Sequence, residues 1–149
     1  MSAFVATTSM KRPHVYLRRA TSSLVLLRLG PDFDEEGLVE LEHRLAELRA
    51  HATEPVVFVS DLRFLPILKP AVSDGLVSIL RRDNAAVERA AIFVGSGTLT
   101  LQMTRIVREA NHPGRAVFSN GPASLDFLRR SLNESEIRIA ESFLAESTR

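Results

Sequence analysis

The chain has 149 residues, 45% hydrophobic and 25% charged, the size and composition of one globular domain. Its 19 basic and 18 acidic residues leave a formal charge of +1, which gives no global attraction to nucleic acid or to an anionic membrane. There is no cysteine, so disulfides, thiol catalysis and zinc sites built on Cys are excluded, and the expected compartment is the cytoplasm. The longest apolar runs, Leu24–Leu27 and Val56–Val59, fall far short of the roughly 20 residues of a membrane span. Residues 1–12 show no basic-then-apolar order of a secretory signal and are expected to form a flexible tail before a single domain over 13–149.

Two β-rich runs open the domain, His14–Ala20 and Ser23–Leu29, and the short Thr21–Ser22 link between them suggests a hairpin. Gly30-Pro31-Asp32 breaks the chain, and Asp32 or Asp34 is placed to cap a helix. In that helix Leu38, Leu41, Leu45 and Leu48 recur on one face. Val56–Val59 reads as a central strand covered on both sides, with Ser60-Asp61 at its carboxyl end. Leu62–Pro70 is expected as an ordered loop with an apolar underside.

A second helix is expected over Ala71–Asn84, with Val72, Leu76, Ile79 and Leu80 inward. Ala90–Val94 is another buried strand, and Gly95-Ser96-Gly97-Thr98 turns from it into a third helix carrying Leu99, Met103, Ile106 and Ala110. Asn111-His112-Pro113-Gly114 stops that helix. Arg115–Ser119 is a short strand, and Pro122 opens a helix with Leu125 and Leu128 inward and Phe127 beside them. Asn133 and Glu136 have the spacing of a capping box at the head of a last helix, with Ile137, Ala140 and Leu144 on one face. The order β-β-α-β-α-β-α-β-α-α predicts an α/β fold with a mixed, mostly parallel sheet.

Three stretches carry a family resemblance. They are the opening hairpin with its helix, Val56–Leu76 (VVFVSDLRFLPILKPAVSDGL), and Arg115–Leu132 (RAVFSNGPASLDFLRRSL). Together they resemble the STAS domain, the fold of anti-sigma-factor antagonists, and more narrowly its SpoIIAA-like branch, which includes STAS/SEC14-type small proteins. The resemblance covers about residues 14–132. It implies a non-enzymatic regulatory module that binds another protein. In such antagonists a serine in an Asp-Ser-x-Gly-Leu pattern opens the second helix and switches partner binding when phosphorylated. Ser73-Asp74-Gly75-Leu76 matches Ser-x-Gly-Leu, with Val72 where the family pattern has Asp. Ser73 is therefore a possible phosphorylation site, or simply a polar first-turn residue.

The partner surface implied is Asp61, Phe64, Leu65, Ile67, Ser73, Asp74 and Gly75. Large apolar groups in a loop, Phe64 to Leu68, must be buried in the core, against a partner or against a ligand. Asp61 at a strand's carboxyl end is placed for a binding surface, for ion coordination or chemistry beside Gly95–Thr98, or for capping the next turn. Gly95, Ser96, Gly97 and Thr98 stand where an anion-binding loop would be but lack the third glycine of G-x-G-x-x-G and the Gly-Lys-Ser/Thr ending of a P-loop, so a tight turn with Ser96 or Thr98 as cap is the plainer reading.

His14, His43, His51 and His112 are scattered, and no metal site or cofactor is expected. The pairs Arg18-Arg19, Arg81-Arg82 and Arg129-Arg130 read as solvated faces, without a nucleic-acid stripe. The alternative to a protein-binding module is a carrier of a small apolar ligand or lipid, as the SEC14 association implies, with a pocket lined by Phe58, Phe64, Ile67 and Phe93. The stripe of the last helix is expected either to dock on its own domain or to form a homodimer.

Overall fold

A computed structural model describes residues 15–146; the expected tail lies outside them. The elements are β1 (Val15–Arg19), β2 (Leu24–Leu29), α1 (Glu35–His51), β3 (Val56–Leu62), α2 (Pro70–Asp83), a 3₁₀ turn (Asn84–Ala86), β4 (Val87–Val94), α3 (Gly97–Ala110), β5 (Arg115–Phe118), α4 (Gly121–Leu128) and α5 (Glu134–Glu146). The strands lie side by side in chain order. β1 and β2 are antiparallel, and β2 through β5 are parallel, joined by helical crossovers. The α/β class, the element order and the mixed sheet are those the sequence predicts.

The sheet separates two cores. On one face Leu41, Leu45, Leu76, Ile79, Met103 and Ile106 of α1, α2 and α3 pack against Val25, Phe58 and Ile92. On the other, Leu125 and Leu128 of α4 and Ile137, Ala140, Phe143 and Leu144 of α5 cover Leu24, Leu26, Val57 and Val59. Every residue of β3 is buried, because alternate side chains enter alternate cores.

Local chemistry fixes the ends of the elements. Asp34, rather than Asp32, caps α1 by accepting from Gly37 N. Asn133 and Glu136 form the reciprocal capping box, Glu136 N to Asn133 Oδ1 at 2.8 Å and Asn133 N to Glu136 Oε1 at 3.0 Å. Asn111 ends α3 in the left-handed conformation at φ 62°, a position Asn tolerates. The hairpin has no Asn-Gly, but Thr21 Oγ1 accepts from Ser23 N and Leu24 N and donates to Glu136 Oε2 at 2.5 Å. That hydroxyl organises the turn and ties it to α5.

Three boundaries differ from expectation. β3 continues through Ser60, Asp61 and Leu62, whose partners are Ile92, Phe93 and Val94 of β4. α2 begins at Pro70, since a proline with its missing N–H suits the first helical position. β4 begins at Val87 instead of Ala90. The apolar stripe of α5 is docked on its own sheet. Burial of Ile137, Phe143 and Leu144 contributes roughly 1.5–3 kcal/mol each, so this stripe is not left over for a second copy.

Candidate functional site at the carboxyl end of the sheet

Asp61 sits on the α5 side of β3, and its side chain is fully buried. A buried carboxylate requires partners, and two arginines supply them. Arg28 Nε, from β2, reaches Asp61 Oδ2 at 3.3 Å. Arg63 donates through its backbone N and Nε to Oδ1 and through Nη2 to Oδ2, each at 3.1 Å. The two guanidiniums then turn to the last turn of α5: Arg28 donates to the Phe143 carbonyl and Arg63 to the Leu144 carbonyl. Cations at a helix C-terminus complement its dipole. Aromatic faces complete the setting, with Arg28 4.3 Å from the centroid of Phe143 and Arg63 4.7 Å from that of Phe93. Asp61 is therefore not presented to a partner. It holds β2, β3, the following loop and α5 together.

The loop after β3 sorts its apolar residues. Leu65 and Leu68 are buried, while Phe64 is 44% and Ile67 58% exposed. The backbone of Leu68 is gripped by Gln102 of α3, which donates to its carbonyl and accepts from its N–H, both at 2.8 Å. Beside Gln102, Leu101 is 74% exposed. The two exposed loop residues are thus held out by buried neighbours on an anchored backbone.

Ser73 is only 1% exposed and is the fourth residue of α2, not its opening residue. Its N–H is already bonded to the Lys69 carbonyl, and its Oγ accepts from Arg105 Nη2 at 3.2 Å. The free N–H groups expected to meet a phosphate there are absent, because the helix starts earlier than expected. Asp74 is exposed on α2. Gly75 lies where α2 approaches α1, and a Cβ there would come within 2.5 Å of Leu38 Cδ1.

The Gly95–Thr98 turn is exposed and acts as a helix start: Ser96 Oγ accepts from Leu99 N at 3.1 Å and caps α3. Gly95 packs on the Arg63 backbone so closely that a Cβ would fall on the Arg63 carbonyl. The turn therefore braces the loop carrying Phe64. Asp61 shares no cleft with it, since the carboxylate is enclosed beneath α5.

The pocket expected for an apolar ligand does not form. Phe58 belongs to the core under α1 to α3 and Phe93 packs against the opposite one, while Phe64 and Ile67 face solvent. The cavity beside Phe58 has a volume of about 60 Å³, well below the roughly 300–1,000 Å³ of ordinary ligand pockets. These four residues therefore do not line a common ligand site.

A second buried ionic cluster, with no local sequence signal, lies at the amino ends of the parallel strands. Asp83 is paired with Arg49, and Arg115 donates to Asn84 Oδ1 at 2.5 Å and to the Leu80 carbonyl at 3.0 Å. Burial raises the pKa of Asp83 against the pull of Arg49, and burial lowers that of Arg115. Among the described residues no group of His, Asp and Glu converges to hold a metal ion, and no helix is long and apolar enough to cross a membrane.

Two solved structures share this architecture. One is an uncharacterised protein of the DUF3478 family from Shewanella loihica PV-4, described as having a SpoIIAA-like fold. Its TM-score is 0.58 at 17% identity, over 76% of this chain and 91% of that one. The other is the anti-sigma factor antagonist SpoIIAA in its unphosphorylated form, with TM-score 0.57 at 14% identity, over 80% of this chain and 99% of that one. This chain has the SpoIIAA-like, STAS fold. No protein-family model matches the sequence, and no curated protein matches it. The SpoIIAA-like fold accounts for the hairpin, the three parallel strands after it and the crossover helices, so the family resemblance of the sequence holds at the level of fold.

Proposed function

We propose that this chain is a non-enzymatic regulatory module that binds another protein through the segment between β3 and α2. The observation that carries the reading is the exposure of Phe64 and Ile67 on a backbone fixed by Leu65, Leu68 and Gln102. Exposed apolar side chains on a rigid frame bind with little ordering cost. Leu101, next in sequence to the Gln102 that grips Leu68, and Asp74 on α2 are both exposed and are assigned to the same surface in this reading. The shared fold with an anti-sigma factor antagonist supports a regulatory role. In this reading Asp61, Gly75 and Gly95 support the surface and do not touch the partner. Ser73 is also beneath it, so partner binding does not depend on a phosphate there.

A photo-crosslinking residue placed at Ile67 in cells of the source organism tests this. The expected result is one discrete protein adduct, absent when the same residue is placed at Val39, an apolar position on α1 that is more exposed than Ile67. Identical adduct patterns at the two positions would contradict the proposal.

A further inference from the structure

The two faces of the sheet are unequally covered. Three helices lie on one face. On the other, α4 packs on β4 and β5 and α5 on β2. Among the described residues no helix packs along β1 on that side, and a groove of about 440 Å³ runs between it and α5. That volume is within the ordinary range of a small-molecule site.

Leu26 and Phe143 close its base but are buried, so the apolar surface it offers is the half-buried Ile139 together with Tyr16. Tyr16 stands on β1 at the side of the groove, stacked on Phe143 with centroids 6.1 Å apart and an interplanar angle of 20°. The Tyr16 hydroxyl has no hydrogen-bond partner among the described residues, although its ring is fixed between Phe143 and the Arg28 guanidinium. The rim is cationic. Arg18, in register with Leu26 on the same face, comes from β1, and Arg138 comes from α5. Both are exposed, and neither has an ion-pair partner among the described residues. Glu134 and Glu141 flank Arg138 along α5 without pairing to it. Glu146, the acid lining the groove, is 3.8 Å from Arg28. Ser135 and Ser142 add two hydroxyls.

We propose that this groove binds an organic phosphate with an apolar body. The phosphate would lie between Arg18 and Arg138, where two guanidiniums match its paired oxygens. The apolar body would lie on the exposed side of Tyr16 and on Ile139. This site is independent of the partner surface, which sits on the loop after β3. The head group has two natural sources, a free phosphate ester and a phospholipid.

The chain has one tyrosine and no tryptophan, so intrinsic fluorescence reports on this groove alone. Hexyl phosphate, which is spectroscopically silent, is titrated into the full chain at low salt. The expected result is a saturable change in tyrosine emission with a midpoint of about 1 mM or tighter. The double variant Arg18→Glu/Arg138→Glu should weaken binding at least about tenfold. The control Arg108→Glu/Arg130→Glu should leave it unchanged. All four positions are exposed, so circular dichroism should show each variant folded. Inorganic phosphate should bind at least about tenfold more weakly than the hexyl ester. A parallel arm uses phosphatidylcholine vesicles with and without phosphatidic acid. A response to phosphatidic acid vesicles that Arg18→Glu/Arg138→Glu abolishes supports the site and assigns its head group to a lipid. No saturable response in either arm, equal binding by the groove variant, or equal affinity for inorganic phosphate would overturn the proposal.

Discussion

The two buried ionic clusters of this domain sit at opposite ends of the same sheet and are built on different terms. At the carboxyl end, one carboxylate is shared by Arg28 and Arg63, both of which also bind the last carbonyls of α5 and lie over aromatic rings. At the amino end, Asp83 has Arg49 as its direct partner, and the penalty of burial outweighs that attraction, raising its pKa. Several donors shared around one carboxylate join β2, β3 and α5 at one end, whereas at the other the cost of burial is the largest influence on Asp83. The joint fixes the start of the loop at Arg63, while Leu65, Leu68 and Gln102 on the other face of the sheet hold the stretch that carries Phe64 and Ile67.

This contrast can be broken at either end. Asp61→Asn is expected to have the largest effect, about 3–5 kcal/mol in urea unfolding, because it leaves two guanidiniums without a buried counter-charge. Hydrogen exchange should then quicken first in the last turn of α5, whose carbonyls those arginines hold. Gly95→Ala should cost about 1–3 kcal/mol, since its methyl group meets the Arg63 carbonyl rather than a side chain that can move away. Asp83→Asn should cost less, about 1 kcal/mol at neutral pH.

The distinguishing feature of Asp83→Asn is its pH dependence. Wild-type Asp83 has a folded pKa above the ordinary 3.8. As pH rises from that value to the raised one, the folded state keeps a proton that the unfolded state has lost. Wild-type stability therefore falls with rising pH across this window, and Asp83→Asn should lose that component of the slope. A loss from Asp83→Asn equal to that from Asp61→Asn would erase the difference between the clusters.

Much of the architecture was legible because it is written in local pattern. The stripe of α1, the Asn133–Glu136 box and the Gly95–Thr98 turn each lie within a few residues of sequence. The end of β3 was hidden because Ser60-Asp61 looks like the end of a strand. Arg63 and the distant Arg28, 33 residues before Asp61, together make a carboxylate acceptable there, and neither pairing has a pattern that marks it in sequence. The cluster around Asp83 was invisible for the same reason, since its partners lie 34 residues away at Arg49 and 31 residues apart between Asn84 and Arg115. At the candidate site the loop was found from its five large apolar groups, but pattern alone could not divide them into the buried Leu65 and Leu68 and the exposed Phe64 and Ile67. Gln102, which fixes that division, carries no sequence signal. Ser73 looks like a helix start in sequence because Pro70 reads equally as the end of a loop or as the first residue of a helix.

The central claim is that Phe64 and Ile67 serve contact and not folding. The most direct test is to take the protein crosslinked at Ile67 and measure its affinity for wild type and for Phe64→Ser/Ile67→Ser by calorimetry, alongside urea unfolding of both chains. The account predicts binding weakened at least about tenfold while stability stays within about 0.5 kcal/mol. Unchanged affinity, or a loss of stability as large as that of a core truncation, would contradict it.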